Sequence, residues 1–134
     1  MPGRGYIFAR PAPWIPPMSA EHPPILDPTV LGELRELLED AYGDLLQNFL
    51  DDLAEQLPAM EEALMRGAAM TLGQIAHKLK SASGSVGALR LSALAFELEQ
   101  LGKSGDVSRA LPVLAQLEAV AHDTQRAISA ELAT

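Results

Sequence analysis

His77 is the residue whose type and surroundings most clearly indicate chemistry in this chain. The apolar and small residues near it recur at intervals of three and four, which marks one face of a helix. They are Leu72, Ile75, Ala76, Leu79, Ser83 and Val86. At about 100° per residue, His77 lies roughly 150° from the centre of that face, so we expect its imidazole to face solvent. A solvent-facing histidine near neutral pH is largely uncharged and keeps a lone pair on one ring nitrogen.

Three of the four residues one and two turns from His77 are small, and the fourth is Lys80. Gly73, Ser81 and Gly84 lie at i−4, i+4 and i+7, and each glycine weakens a helix by about 1 kcal/mol. We expect these residues to leave an open, exposed surface around the imidazole that another protein can reach. The candidate partner-docking residues on or beside this surface are Gly73, Gln74, Ser81, Gly84 and Ser85.

The chemistry that this arrangement favours is nucleophilic use of the imidazole. A neutral histidine can accept a phosphoryl group and then pass it on. Lys80 lies one turn beyond His77 and can offset the charge of the phosphoryl oxygens, whereas Lys78 lies on a different side of the helix and has a weaker claim. The alternative is that His77 is an ordinary surface histidine.

Other site chemistries find little support in the sequence. His22 and His122 have no clustered partners, and a metal site usually needs three or four ligands, so we expect no metal site. The chain has no cysteine. It has no Gly-x-Ser-x-Gly motif, although a Ser/His/Asp triad stays open on this evidence. It also lacks a phosphate-binding Gly-x-x-x-x-Gly-Lys-[Ser/Thr] loop.

Length and charge limit the class of protein. A chain of 134 residues forms one domain with at most a tail. Its net charge of −8 argues against nucleic acid and anionic membrane as partners. No apolar run approaches the ~18 residues that a membrane span requires, and no signal peptide is recognisable. We therefore expect a cytoplasmic protein.

Proline content divides the chain into two parts. Eight of the ten prolines fall at or before Pro28, and the Pro/Gly-rich segment 1–24 is predicted to be a disordered tail. That segment contains Trp14, for which we expect no specific role. An alternative hypothesis is that translation starts at Met18. Residues 25–134 are predicted to form the folded domain.

The folded part is predicted to contain five helices. They cover about 28–42, 44–67, 69–86, 89–103 and 108–131. Asp27 as N-cap with Pro28 at the first helical position marks the first start. We expect a kink or short break at Pro58, and Pro112 favours a regular start of the last helix nearer Leu111. Short connections between long amphipathic helices predict an all-α, up-down antiparallel four-helix bundle, with the short N-terminal helix capping one end.

Several acidic residues are interpreted as parts of solvated helix faces that keep the bundle soluble. They are Asp51, Asp52, Glu55, Glu97 and Glu99.

The sequence of the His77 segment resembles that of the histidine phosphotransfer (HPt) domains of bacterial two-component phosphorelays. The matching residues are Ala76-His77-Lys78-Leu79-Lys80-Ser81-Ala82-Ser83, Val86-Gly87-Ala88, Leu98-Glu99 and Gly102-Lys103-Ser104-Gly105-Asp106, together with Phe49-Leu50 and Asp52. The resemblance covers about residues 25–131. One departure is Ser81, where the family often has glycine; a serine is small enough to leave access open.

The resemblance implies that His77 is the phosphoacceptor, at Nε2, and that Lys80 stabilises the phosphoryl group. It implies two partners: the receiver domain of a hybrid sensor histidine kinase as donor and the receiver domain of a response regulator as acceptor. The receiver supplies an acidic pocket and Mg²⁺, so we expect no metal or cofactor on this chain. We also expect a monomer without kinase or phosphatase catalysis of its own.

Two alternatives stay open at this point. One is a helical adaptor that binds a receiver or kinase domain without relaying phosphate. The other is a purely structural helix bundle, which leaves the small residues around His77 unexplained.

Overall fold

The computed structural model describes residues 22–134, and their regular structure is entirely helical. The five helices are α1 Pro28–Leu38, α2 Tyr42–Met65, α3 Ala69–Ser85, α4 Leu89–Ser104 and α5 Val107–Leu132, with a short 3-10 turn, Glu39–Ala41, between α1 and α2. The predicted all-α class and the order of the helices are confirmed. Within the described residues, none of the helices is long and apolar enough to cross a membrane.

Helices α2 to α5 form an antiparallel four-helix bundle. Helix α3 packs against α2 and, most extensively, against α4, and α5 also packs against α2 and α4. Helices α3 and α5 therefore lie diagonally opposite each other. The interior is filled mainly by leucines, and its largest fully buried side chains are Leu46, Leu53, Met60, Leu72, Leu79, Leu91, Leu98, Leu117 and Ile128.

Helix α1 covers the end of the bundle where α3 turns into α4. Asp27 caps α1 by accepting a hydrogen bond from the backbone N–H of Thr29 at 2.9 Å, and its own N–H donates to the carbonyl of Gly87 at 2.9 Å. Leu31 on α1 joins the buried core. Gly87 has a φ of +79°, which is strained for residues with a Cβ, and this glycine ends α3 as predicted.

Two prolines just before the predicted boundary at residue 25 contact helix α4. The backbone N–H of Arg90 donates to the carbonyl of Pro24 at 3.0 Å, and its Nε donates to the carbonyl of Pro23 at 2.8 Å. Both prolines were assigned to the tail, and these contacts attach them to the first turn of α4. Residues 1–21 of the predicted tail, with Trp14 and Met18, lie outside the described residues.

Two expectations about internal prolines need correction. The prediction at Pro58 is a kink or a short break. Helix α2 runs without interruption through Pro58, so the break is wrong, and the kink stays a prediction. Leu53 and Met60 are fully buried on either side of Pro58, and this packing keeps the helix continuous although one backbone hydrogen bond is missing.

Helix α5 starts at Val107, not nearer Leu111 as expected, with Pro112 inside it. Asp106 accepts a hydrogen bond from the backbone N–H of Arg109 at 3.2 Å. This N-cap fixes the first turn of the helix before the proline is reached.

Candidate functional site

His77 lies in the middle of α3 with an accessible imidazole. Its side chain is 59% exposed, so the predicted orientation toward solvent is confirmed. The imidazole is nevertheless held in place, because Nδ1 lies 2.7 Å from Oε2 of Glu99 on the neighbouring helix α4. Among the described residues, no hydrogen bond to Nε2 of His77 is found.

Glu99 is the buried centre of the site. Only 3% of its side chain is exposed. Its Oε1 accepts a hydrogen bond from Nζ of Lys80 at 2.8 Å, and Nζ of Lys103 lies 3.4 Å from Oε2. The interpretation of Glu99 as part of a solvated helix face is therefore wrong. One carboxylate connects His77 with two lysines.

The charge state of Glu99 fixes the proton on the imidazole. The hydrogen bond from Lys80 has the largest effect and lowers the pKa of Glu99 to about 2; the hydrogen bond from His77 acts in the same direction, and burial opposes both. The carboxylate is therefore ionised near neutral pH and can only accept hydrogen bonds. Because Nδ1 must then carry the proton, a neutral His77 has its lone pair on Nε2.

The sequence contains a signal for Glu99 that the interpretation missed. Glu99 follows Leu98 directly and lies one turn after Ala95 and one turn before Gly102, all of which are buried on α4. A carboxylate among inward-facing positions must have a partner, because an unpaired buried charge is costly.

Two glycines bring α3 and α4 unusually close together beside this hydrogen bond. A Cβ added to Gly102 would lie 2.7 Å from Cα of Gly73 and 2.8 Å from the carbonyl oxygen of Ala69, distances at which atoms clash. Gly73 is itself buried. The expectation that Gly73 is exposed is therefore wrong, because α4 packs against this side of α3. Its contact with a partner stays a prediction, since Gly73 still lines an open cavity next to His77.

The other predicted docking residues stay accessible. Gln74, Ser81 and Ser85 are exposed, and Gly84 is half-buried. Their contact with a partner is still a prediction.

Lys80 is half-buried, and its ammonium lies 5.4 Å from the centroid of the Phe96 ring in addition to its bond with Glu99. These two contacts hold the lysine beside His77.

Residues 22–134 contain no group of three or more His, Cys, Asp or Glu side chains that could hold a metal ion. His122 is exposed on α5, the helix diagonally opposite α3.

Comparisons with known proteins identify the family of this chain. The sequence model of the Hpt domain matches residues 44–127. The crystal structure of histidine-containing phosphotransfer protein B (HptB) from Pseudomonas aeruginosa PAO1 is 34% identical, with a TM-score of 0.79; the match covers 81% of this chain and 95% of that chain. No match was found among curated proteins. The chain therefore belongs to the Hpt domain family, whose members are phosphocarriers in the histidine phosphotransfer of two-component signalling rather than kinases.

Proposed function

We propose that His77 carries the phosphoryl group on this chain and accepts it at Nε2. The observation that supports this most strongly is the hydrogen bond between Nδ1 of His77 and the buried carboxylate of Glu99. It directs the lone pair of an exposed imidazole to Nε2, where a partner's phosphoryl group can reach it.

The transfer step follows from this arrangement. The Nε2 lone pair attacks the phosphorus of a receiver aspartyl phosphate, the P–O bond to that aspartate breaks, and the aspartate leaves as a carboxylate. A bond between Nε2 and phosphorus forms while Nδ1 of His77 keeps its proton, so the ring becomes positively charged. The carboxylate of Glu99, 2.7 Å from Nδ1, stabilises that charge. The reverse sequence delivers the group to a second receiver.

Lys80 is proposed to offset the charge of the phosphoryl oxygens. Its Nζ is held 2.8 Å from Oε1 of Glu99, the same carboxylate that binds His77. A cation fixed within this network is close to the reacting imidazole without having to be ordered during the transfer.

The proposal assigns a partner to each end of the relay. The donor is the receiver domain of a hybrid sensor histidine kinase, and the acceptor is the receiver domain of a response regulator. Mg²⁺ comes with the receiver, and no cofactor is assigned to this chain. We also propose that the carrier is a cytoplasmic monomer, since it must meet each receiver in turn.

The test is phosphotransfer from receiver domains labelled with ³²P on their aspartate, in the presence of Mg²⁺. We expect the wild type and His122→Gln to take up label that is stable to base and labile to acid, His77→Gln to take up none, and Lys80→Gln to be labelled more slowly. Labelling of His77→Gln would show that the acceptor is another residue. A wild type that binds receivers but takes up no label would identify the non-relaying adaptor instead.

A further inference from the structure

Lysine occurs at three positions in this chain, and all three are near His77. They are Lys78 and Lys80 on α3 and Lys103 on α4. Lys80 and Lys103 share the single carboxylate of Glu99, whereas Lys78 makes no ion pair with the residues that the structure describes. All the lysines of the chain therefore lie near His77, although the chain as a whole has a net charge of −8.

The same surface contains an open cavity of about 720 Å³ between α3 and α4. Gly73 and Gly102 line the cavity where the backbones of α3 and α4 touch. Because both are glycines, no side chain fills this part of the cavity. Met70 lines it as well, with 75% of its surface exposed. His77 and Glu99 lie at its side, so the cavity is continuous with the site of the proposed phosphoacceptor.

We propose that this cavity anchors the receiver domain, with an apolar side chain of the receiver packed against Met70 inside it and receiver carboxylates facing Lys78 and Lys103. The proposal rests on the proposed function and deepens it, because it states along which side of His77 the partner lies.

Charge and shape both favour a receiver as the occupant. The phosphoryl donor must bring its acidic pocket over His77, so acidic groups around that pocket come to lie next to the lysines. Complementary charge of this kind accelerates association and fixes orientation. An apolar side chain in the cavity removes water from the interface, which is the usual role of a central anchor.

The position of the cavity predicts the orientation of the receiver along the bundle. Cavity residues Met70, Gly73 and Lys103 all lie toward the end of the bundle where α4 turns into α5. Beyond the residues one turn from His77, the receiver is therefore expected to extend toward that end, away from α1.

Binding is measured by NMR titration with receiver domains from the same genome, each activated with Mg²⁺ and beryllofluoride. The variants are Lys78→Glu and Met70→Glu. The matched controls on the diagonally opposite helix α5 are Arg126→Glu and Leu111→Glu, both at exposed positions. Lys78 and Met70 do not contact Glu99 through any hydrogen bond or ion pair, so these variants leave the imidazole in its ordinary geometry.

We expect both test variants to raise the Kd for the receiver about tenfold or more. The Kd of both controls should stay within about twofold of the wild-type value. Raising the salt concentration should weaken binding of the wild type more than that of Lys78→Glu. Test variants within twofold of the wild type would overturn the docking surface, as would the absence of binding to every receiver. A wild type that binds here but takes up no phosphoryl label would remove the proposed function and leave the docking surface standing.

Discussion

Oε2 of Glu99 on α4 lies 2.7 Å from Nδ1 of His77 on α3, and the carboxylate is buried while the imidazole is exposed. The two residues belong to adjacent antiparallel helices, and their contact depends on the close approach of those helices at Gly73 and Gly102. The buried residue, Glu99, therefore orients the imidazole, and the exposed residue, His77, is the one proposed to react.

The first prediction concerns Glu99 as a positioning residue. Glu99→Leu removes the acceptor for Nδ1 of His77, so the neutral imidazole no longer keeps its lone pair on Nε2. We expect transfer from a phosphorylated receiver to slow by about 10- to 100-fold, which is the cost of losing the group that orients a metal-binding histidine. Glu99→Gln keeps an acceptor without the charge and should fall between Glu99→Leu and the wild type.

The readout that separates positioning from folding is the ¹⁵N NMR spectrum of the His77 ring. In the wild type Nε2 should carry no proton, and in Glu99→Leu both tautomers should be populated. Glu97→Gln, an exposed position on the same helix, is the control and should resemble the wild type. An unchanged tautomer in Glu99→Leu would show that Glu99 does not fix the proton.

The second prediction concerns access to His77. Ser81 is exposed one turn from the imidazole, so Ser81→Trp places a large ring where a receiver must approach. Transfer should slow by at least about tenfold while the helical circular dichroism and thermal unfolding are unchanged. Ser129→Trp, at an exposed position on α5, is the matched control and should transfer at the wild-type rate. Equal rates for the two tryptophan variants would show that the surface at Ser81 takes no part in docking.

The third prediction concerns the contact between α3 and α4. Gly102→Ala introduces a Cβ that clashes with backbone atoms of Gly73 and Ala69, so the helices must move apart. We expect the free energy of unfolding to fall by about 1–3 kcal/mol, the usual cost of overpacking. Separation of the helices should also lengthen the hydrogen bond between His77 and Glu99 and slow the transfer.

Gly73→Ala is the matched control on the other side of the same contact. Its Cβ would meet its neighbours at 3.5 Å, which is ordinary contact, and alanine is the better helix former. Urea denaturation should show Gly73→Ala at least as stable as the wild type. Equal destabilisation by both alanines would contradict the assignment of the close contact.

The fourth prediction concerns pH and the pair of carboxyl groups on α2 and α5. A hydrogen bond with Glu61, and secondly burial, raises the pKa of Glu118 to about 7, while the charge of His122 acts in the opposite direction. The raised pKa means that the folded chain holds this proton more tightly than the unfolded chain. The contribution to stability is therefore complete below about pH 4.5 and is lost as the pH rises through about 7.

Urea denaturation between pH 4.5 and 8 measures this effect. The free energy of unfolding of the wild type should fall with rising pH, and Glu118→Gln should lose on the order of 1 kcal/mol of that fall once solvent screening is considered. Glu62→Gln, an exposed neighbour of Glu61, is the control. The same pH dependence in Glu118→Gln and the wild type would contradict the shared proton.

The sequence was sufficient for the number and order of the helices and for His77, because both depend on local patterns. Apolar spacing gives the rotation of a residue about its own helix axis, and that rotation correctly placed the imidazole in solvent. Asp27 with Pro28, and Gly87, carry helix start and stop signals within a few residues. These features need no knowledge of a neighbouring helix.

Among the residues around His77, those whose surroundings depend on a second helix were misplaced. Gly73 contributes no apolar side chain to the α3 pattern, so its burial against Gly102 could not be read from α3 alone. Glu99 is charged and was counted with the solvated residues, although its partners on α3 make its burial favourable. The burial of both residues depends on the distance between α3 and α4, which the periodicity of a single helix does not give.

The central claim is that His77 carries the phosphoryl group on Nε2 while Glu99 holds the proton on Nδ1. The most direct test is ³¹P and ¹⁵N NMR of chain labelled with ¹⁵N-histidine and phosphorylated by a receiver domain. We expect one phosphohistidine, at His77, with phosphorus bonded to Nε2 and a proton on Nδ1. Phosphorus bonded to Nδ1 of His77, or to any other residue, would contradict it.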